Sequence, residues 1–170
     1  METSLNLSYL IPLFILSFLT CVHSLNAGTK WRNRDCFAVI DSKGGVVGYG
    51  GSTNSTKCTG TPESIRESGV MHLYSTSEAF LAVKSDSTLI AWGESDYGGY
   101  LPSILDGEVA LDVVSTHYAF AVKVSNKSVF SWGYFYEEGQ AVEISDVDKL
   151  YSNNYAVCAL HSNDSLSTFG

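Results

Sequence analysis

Basic residues are scarce in this chain. Lys and Arg total 10 of 170 residues against 18 Asp and Glu, for a formal net charge of −8. The most basic stretch is Lys30-Trp31-Arg32-Asn33-Arg34. A protein that holds nucleic acid without regard to sequence needs clustered cations to displace counterions, so that class is excluded. Charge of either sign is low at 16%, while hydrophobic residues make up 45%. A disordered chain has the opposite balance, and this one carries enough apolar material for a packed core. No stretch shows the period of a long amphipathic helix, although Ser64–Ser68 suits a single helical turn. Signatures of catalysis are missing too. There is no G-x-S-x-G elbow, no G-x-x-x-x-G-K-S/T phosphate loop and no H-E-x-x-H. Gly48-Tyr49-Gly50-Gly51 lacks the third spaced glycine of a dinucleotide loop. No enzymatic activity and no cofactor are expected.

One apolar run stands apart from the rest. Leu10–Leu19 is hydrophobic with little interruption and extends to Val22. It is short for a bilayer span, which needs roughly 20 residues. It suits the core of a secretory signal peptide, with Val22 and Ser24 at the −3 and −1 positions of a cleavage site. The expectation is a signal at residues 1–24, a mature domain at 25–170, and secretion with no membrane span after cleavage. The alternative is an uncleaved N-terminal membrane anchor. In an oxidising compartment Cys36, Cys58 and Cys158 allow one disulfide and one spare thiol. Cys36 and Cys58, close in sequence, are the candidate pair. Cys158, within Tyr155-Ala-Val-Cys-Ala-Leu160, reads as a small buried hydrophobe.

The mature chain repeats. Four 15-residue blocks align without a gap: Cys36–Gly50, Ala79–Gly93, Ala119–Gly133 and Ala156–Gly170. Their seventh position is always serine (Ser42, Ser85, Ser125, Ser162). The fourteenth is always aromatic (Tyr49, Trp92, Trp132, Phe169), and the last is always glycine. The terminal glycines lie 43, 40 and 37 residues apart. Each of the last three blocks has a lead-in in one register: Leu73–Thr76, Val113–Thr116 and Leu150–Asn153. Lys30–Asn33 is a degenerate counterpart, as terminal repeats often are.

A block opens with a small apolar run, passes through polar turn formers, and closes on a second apolar run. That is the pattern of a β-hairpin. The glycine allows a sharp exit, and the aromatic before it is large enough to pack between neighbouring sheets. Third strands are expected near Val109–Val114 and Val147–Tyr151. Units of about 40 residues built this way indicate all-β blades of a β-propeller, each a three- to four-stranded antiparallel sheet.

These blocks resemble repeats of the regulator-of-chromosome-condensation family, in particular its short-blade secreted members such as the β-lactamase-inhibitory propellers. The carrying run is Ala82-Val-Lys-Ser-Asp-Ser-Thr-Leu-Ile-Ala-Trp92-Gly93, with Gly139-Gln140 matching a loop end. The resemblance covers about residues 30–170 and implies a binding scaffold. The chain departs from the family in its turn glycine, kept only near Gly44-Gly45. It also amounts to about three and a half blades where closed propellers use 4 to 8. The expected architecture is therefore a partial propeller, a fragment of a larger one. An open stack exposes an apolar face at each end, and such faces invite self-association through the open edges.

The function expected is a secreted or cell-surface protein-binding module. The alternatives are a glycan-acting enzyme on the same scaffold and a non-functional truncated product. The signal segment and the acidic charge both oppose a nuclear role inferred from the family. The partner, protein or glycan, is not specified. Tyrosines in the loops after the block glycines are the binding candidates: Tyr97, Tyr100, Tyr134 and Tyr136. Asn54, Asn126 and Asn163 head N-x-S/T sequons and are candidate glycosylation sites. His72, His117 and His161 occupy different repeat positions and make no ligand set. Asp106, Glu108 and Asp112 miss the calcium-loop spacing and read as a solvated strand edge.

Overall fold

In the computed structural model, which describes residues 33–50, 60–134 and 142–170, every block is an antiparallel hairpin. The first sheet pairs β1 (Cys36–Ile40) with β2 (Val46–Gly50). The second contains β3 (Val70–Ser75), β4 (Ala79–Lys84) and β5 (Leu89–Gly93). The third contains β6 (Ala110–Ser115), β7 (Ala119–Val124), β8 (Val129–Gly133) and the short β9 (Val142–Ile144). The fourth contains β10 (Val147–Ser152), β11 (Val157–His161) and β12 (Leu166–Phe169). The lead-ins are thus the ends of outer strands, close to where the repeat places them. The single turn expected at Ser64–Ser68 is a 3-10 turn shifted to Glu63–Ile65, and two more follow at Ser95–Tyr97 and Ser103–Leu105.

Three local devices recur at fixed repeat positions. The residue three before each block accepts the N–H of the block's first residue on its side chain. Thr76 and Thr116 Oγ1 take Ala79 and Ala119 at 3.0 Å, and Asn33 and Asn153 Oδ1 take Cys36 and Ala156 at 3.0 and 2.8 Å. The eighth residue folds the hairpin turn in three blocks. Asp86, Asn126 and Asn163 Oδ1 accept the N–H two residues on at 3.1, 2.8 and 3.0 Å. The ninth residue is left-handed throughout: Gly44, Ser87, Lys127 and Asp164 have φ between 65° and 80°. The lost turn glycine therefore leaves the turn geometry intact, because the Asx bond beside it holds the strained backbone.

The fourth device is the exit glycine. Gly133 has φ +139°, and a Cβ there would lie 2.3 Å from the Tyr118 carbonyl oxygen. No side chain fits, since Gly133 pairs directly with Ala119 across the hairpin.

The inner strands β4 and β7 read as unbroken apolar runs because both their faces are buried, as in parallel sheets covered on two sides. Along β4, Ala79, Leu81 and Val83 face the third sheet, while Phe80 and Ala82 face the first. In the last three blocks the aromatic points back to the preceding sheet. Phe80 and Trp92 stack at 5.3 Å and pack on Cys36, Val46 and Ala38. Phe120 and Trp132, at 5.6 Å, pack on Leu81, Val83 and Leu89. Ala121, Val129, Val157 and Ala159 fill the last seam. The turns ahead of the blocks are tied across the seams. Arg34 N–H donates to the Ser77 carbonyl at 2.7 Å, Ser77 to His117 at 3.0 Å and His117 to Asn154 at 2.9 Å. Four small antiparallel sheets packed face to face in this way form part of a β-propeller.

Cys158 departs from the expectation. It is half-buried on the outer face of the fourth sheet, because its repeat position turns away from the third, and its thiol is free. Cys36 is buried in the first seam. Its proposed mate Cys58 lies outside the described residues.

Candidate functional site

Hairpin register sets where the site forms. Ala79 pairs with Gly93 and Ala119 with Gly133, so the turn entering each block and the loop leaving it share one edge of the array. Four tyrosines from three successive sheets converge there. Tyr97 comes from the loop after β5, Tyr118 from the β6–β7 turn, Tyr134 from just after β8, and Tyr155 from the β10–β11 turn. Tyr118 is the centre. Its ring lies 5.8 Å from Tyr97, 5.4 Å from Tyr134 and 6.1 Å from Tyr155, all tilted by 30–36°. Tyr97 and Tyr134 close a triangle at 5.8 Å. His117 meets Tyr118 edge-on at 4.5 Å. The outer members are open to solvent, Tyr134 at 56% and Tyr155 at 60%.

A charged rim adjoins the rings. Glu78, largely buried, is paired with Arg34 Nη2 at 3.0 Å. Burial pushes the Tyr97 phenol above its usual range, and the Glu78 carboxylate adds to the shift. The Glu94 N–H donates to the Glu78 carbonyl at 3.0 Å and the Tyr97 N–H to the Glu94 carbonyl at 3.1 Å, which sets Glu78 beside the loop that carries Tyr97. Among the described residues the result is a platform of flat, electron-rich faces with hydroxyl edges and the Glu78 carboxylate beside it. Such a surface binds by broad contact with little loss of side-chain freedom, and by attraction of cations to ring faces.

Of the sequence candidates, Tyr97 and Tyr134 are brought together. Tyr100 is not among them. It is half-buried against the core cluster between the second and third sheets. Tyr136 and Asn54 lie outside the described residues. Asn126 and Asn163 are exposed in hairpin turns at the opposite end of the strands from the tyrosines. Sequence reasoning missed Tyr118, Tyr155 and His117. Tyr118 and Tyr155 stand immediately before their blocks, at a position held by Asp35 and Glu78 in the first two. The signal available was the lead-in turn itself, which register places beside the exit loops.

Other clusters show no comparable organisation. His161 is held by the Ser145 carbonyl at 3.0 Å and Ser167 Oγ at 2.7 Å, in a shallow groove with Glu143 and Asp146. Among the described residues no three His, Cys, Asp or Glu side chains are gathered as metal ligands. Among the same residues no helix is long and apolar enough to cross a membrane.

No family model and no curated protein matches the chain. Its structure is similar to several solved propellers. Prp20p from Saccharomyces cerevisiae, studied for its binding to Gsp1p and histones, is 12% identical, with a TM-score of 0.57 over 80% of this chain and 43% of that one. The CRINKLY WD40 ectodomain of the Arabidopsis thaliana receptor kinase ACR4 is 22% identical, with a TM-score of 0.56 over 79% and 49%. Human WBSCR16 is 17% identical, with a TM-score of 0.56 over 80% and 45%. The chain spans less than half the length of each. At these identities the similarity establishes the fold: a partial β-propeller.

Proposed function

We propose that this chain is a protein-binding module without catalytic chemistry, which engages its partner on the Tyr97–Tyr118–Tyr134–Tyr155 platform. The observation that carries the reading is the convergence of four tyrosines from three sheets on one solvent-open edge. The described residues of that edge bring rings, hydroxyls and one paired acid together, and this is recognition chemistry. The similarity to Prp20p, which binds Gsp1p and histones, supports a protein as the kind of partner. The in-phase blocks support placing the chain among regulator-of-chromosome-condensation-like repeats.

The same proposal places the chain in the secretory pathway, with residues 1–24 removed, Cys36 joined to Cys58, and glycans on Asn54, Asn126 and Asn163. The apolar run at Leu10–Leu19 supports the first point, and the closeness of Cys36 and Cys58 in sequence the second. At Asn126 and Asn163 the turn uses Oδ1, so the glycan-accepting Nδ2 takes no part in those bonds.

Affinity capture from the producer's own medium, with tagged chain as bait, tests the binding site. Replacing Tyr97 and Tyr134 by alanine should weaken capture of the recovered partner by tenfold or more, since two central aromatic contacts of about 1 kcal/mol or more each are lost. Unchanged capture would refute the platform. Intact mass of the recovered chain reads cleavage, disulfide and glycans in one measurement.

A further inference from the structure

The three seams share one construction, and the two end sheets carry its two halves. On the side of a sheet turned to the preceding one, the second and fourteenth block positions form a wedge. These are Phe80 with Trp92, Phe120 with Trp132, and Val157 with Phe169. The receiving side presents the third, fifth and eleventh positions, as Leu81, Val83 and Leu89 do in the second sheet. In the first sheet the wedge is Phe37 and Tyr49. They are direct cross-strand partners, 68% and 58% exposed. In the fourth sheet the receiving side is Cys158, Leu160 and Leu166. Leu160 and Leu166 are cross-strand partners, and Leu166 is 64% exposed.

The backbone ladder across the seams ends in the same complementary way. Arg34, Ser77 and His117 each donate an N–H to the next turn's carbonyl. The next donor in that series is Asn154 N–H. The carbonyl of the series to which no described residue donates is that of Arg34.

We propose that two copies of this chain associate head to tail. The Phe37–Tyr49 wedge of each copy seats on the Cys158–Leu160–Leu166 face of the other, and Asn154 N–H of one donates to the Arg34 carbonyl of the next. The occupant of each end face follows from continuity with the internal seams, since every such wedge inside the chain meets such a face. Contacts between unlike surfaces close into a ring when the rotation permits. The four sheets of the described residues of each copy give eight in the pair, within the range of closed propellers.

Sedimentation equilibrium of the purified full chain should give the mass of two copies. The variant F37D/Y49D should be monomeric, and so should L160D/L166D. An equimolar mixture of the two variants should recover a 1:1 complex, because each retains one intact half of a seam. Y49R and T168R, single changes at exposed positions, are the milder second pair, and buried-tryptophan fluorescence reports that each variant keeps its fold. A monomeric parent chain overturns the proposal. So does a dimer that survives disruption of one face alone, or a mixture that fails to associate.

Discussion

At the residue scale, the exit glycine and the turn carboxylate show how little freedom the repeat leaves. A methyl group at position 133 would have to occupy space within 2.3 Å of a carbonyl oxygen that is part of the same hairpin. Gly133→Ala should therefore destabilise the protein by about 3 kcal/mol or prevent folding, as read by urea denaturation. Asp86 is held down to about 2 by the Thr88 hydroxyl and then the Thr88 backbone N–H. Asp41 is lowered mainly by the Gly45 N–H, and Asp148 mainly by Lys127. Groups lowered on folding stabilise the native state above their unfolded value and lose that effect as pH falls through the folded one. Stability should thus decline on acidification from about pH 4 towards 2. Asp86→Asn should flatten that decline while keeping the turn, because Asn126 and Asn163 make the same bond in the other sheets. Urea midpoints measured across this pH range check it, and an unchanged slope would count against the assignment.

The element scale is where threonine and asparagine become interchangeable. Thr76, Thr116, Asn33 and Asn153 hold the same N–H with different side chains, so what is kept is an oxygen at hydrogen-bond reach. Thr116→Ala should cost about 1–2 kcal/mol, because the buried Ala119 N–H loses this partner. Thr116→Asn should recover most of it, and thermal denaturation of the two variants side by side distinguishes them. Hairpins were readable at this scale because their causes are local: apolar runs, an Asx turn and a glycine within 15 residues. The short β9 was not readable. Its existence depends on pairing with β8 rather than on its own three residues. The outward placement of Cys158 likewise follows from alternation along β11, which only the seam contacts assign to one side or the other.

The whole molecule is held by its seams. Trp132 is fully buried between the second and third sheets, and its Nε1 donates to the Gly98 carbonyl at 3.2 Å. Trp132→Ala should cost about 3–5 kcal/mol through the cavity it opens. Loss should appear as one cooperative transition in both circular dichroism and tyrosine fluorescence, since Tyr97, Tyr118 and Tyr134 of the platform come from those two sheets. The number of sheets, the hairpins, the aromatic wedge and the glycine exit were all set by the chain's own periodic residues, because each depends on neighbours a few positions away. Which tyrosines meet was settled by packing. Tyr118 and Tyr155 join Tyr97 and Tyr134 because sheet stacking aligns turns that are about 40 residues apart. Tyr100, from the same loop as Tyr97, is drawn instead into the seam by the apolar surface it covers. A side chain's exposure is a property of what lies against it, and that is decided across the seams, beyond the reach of local sequence.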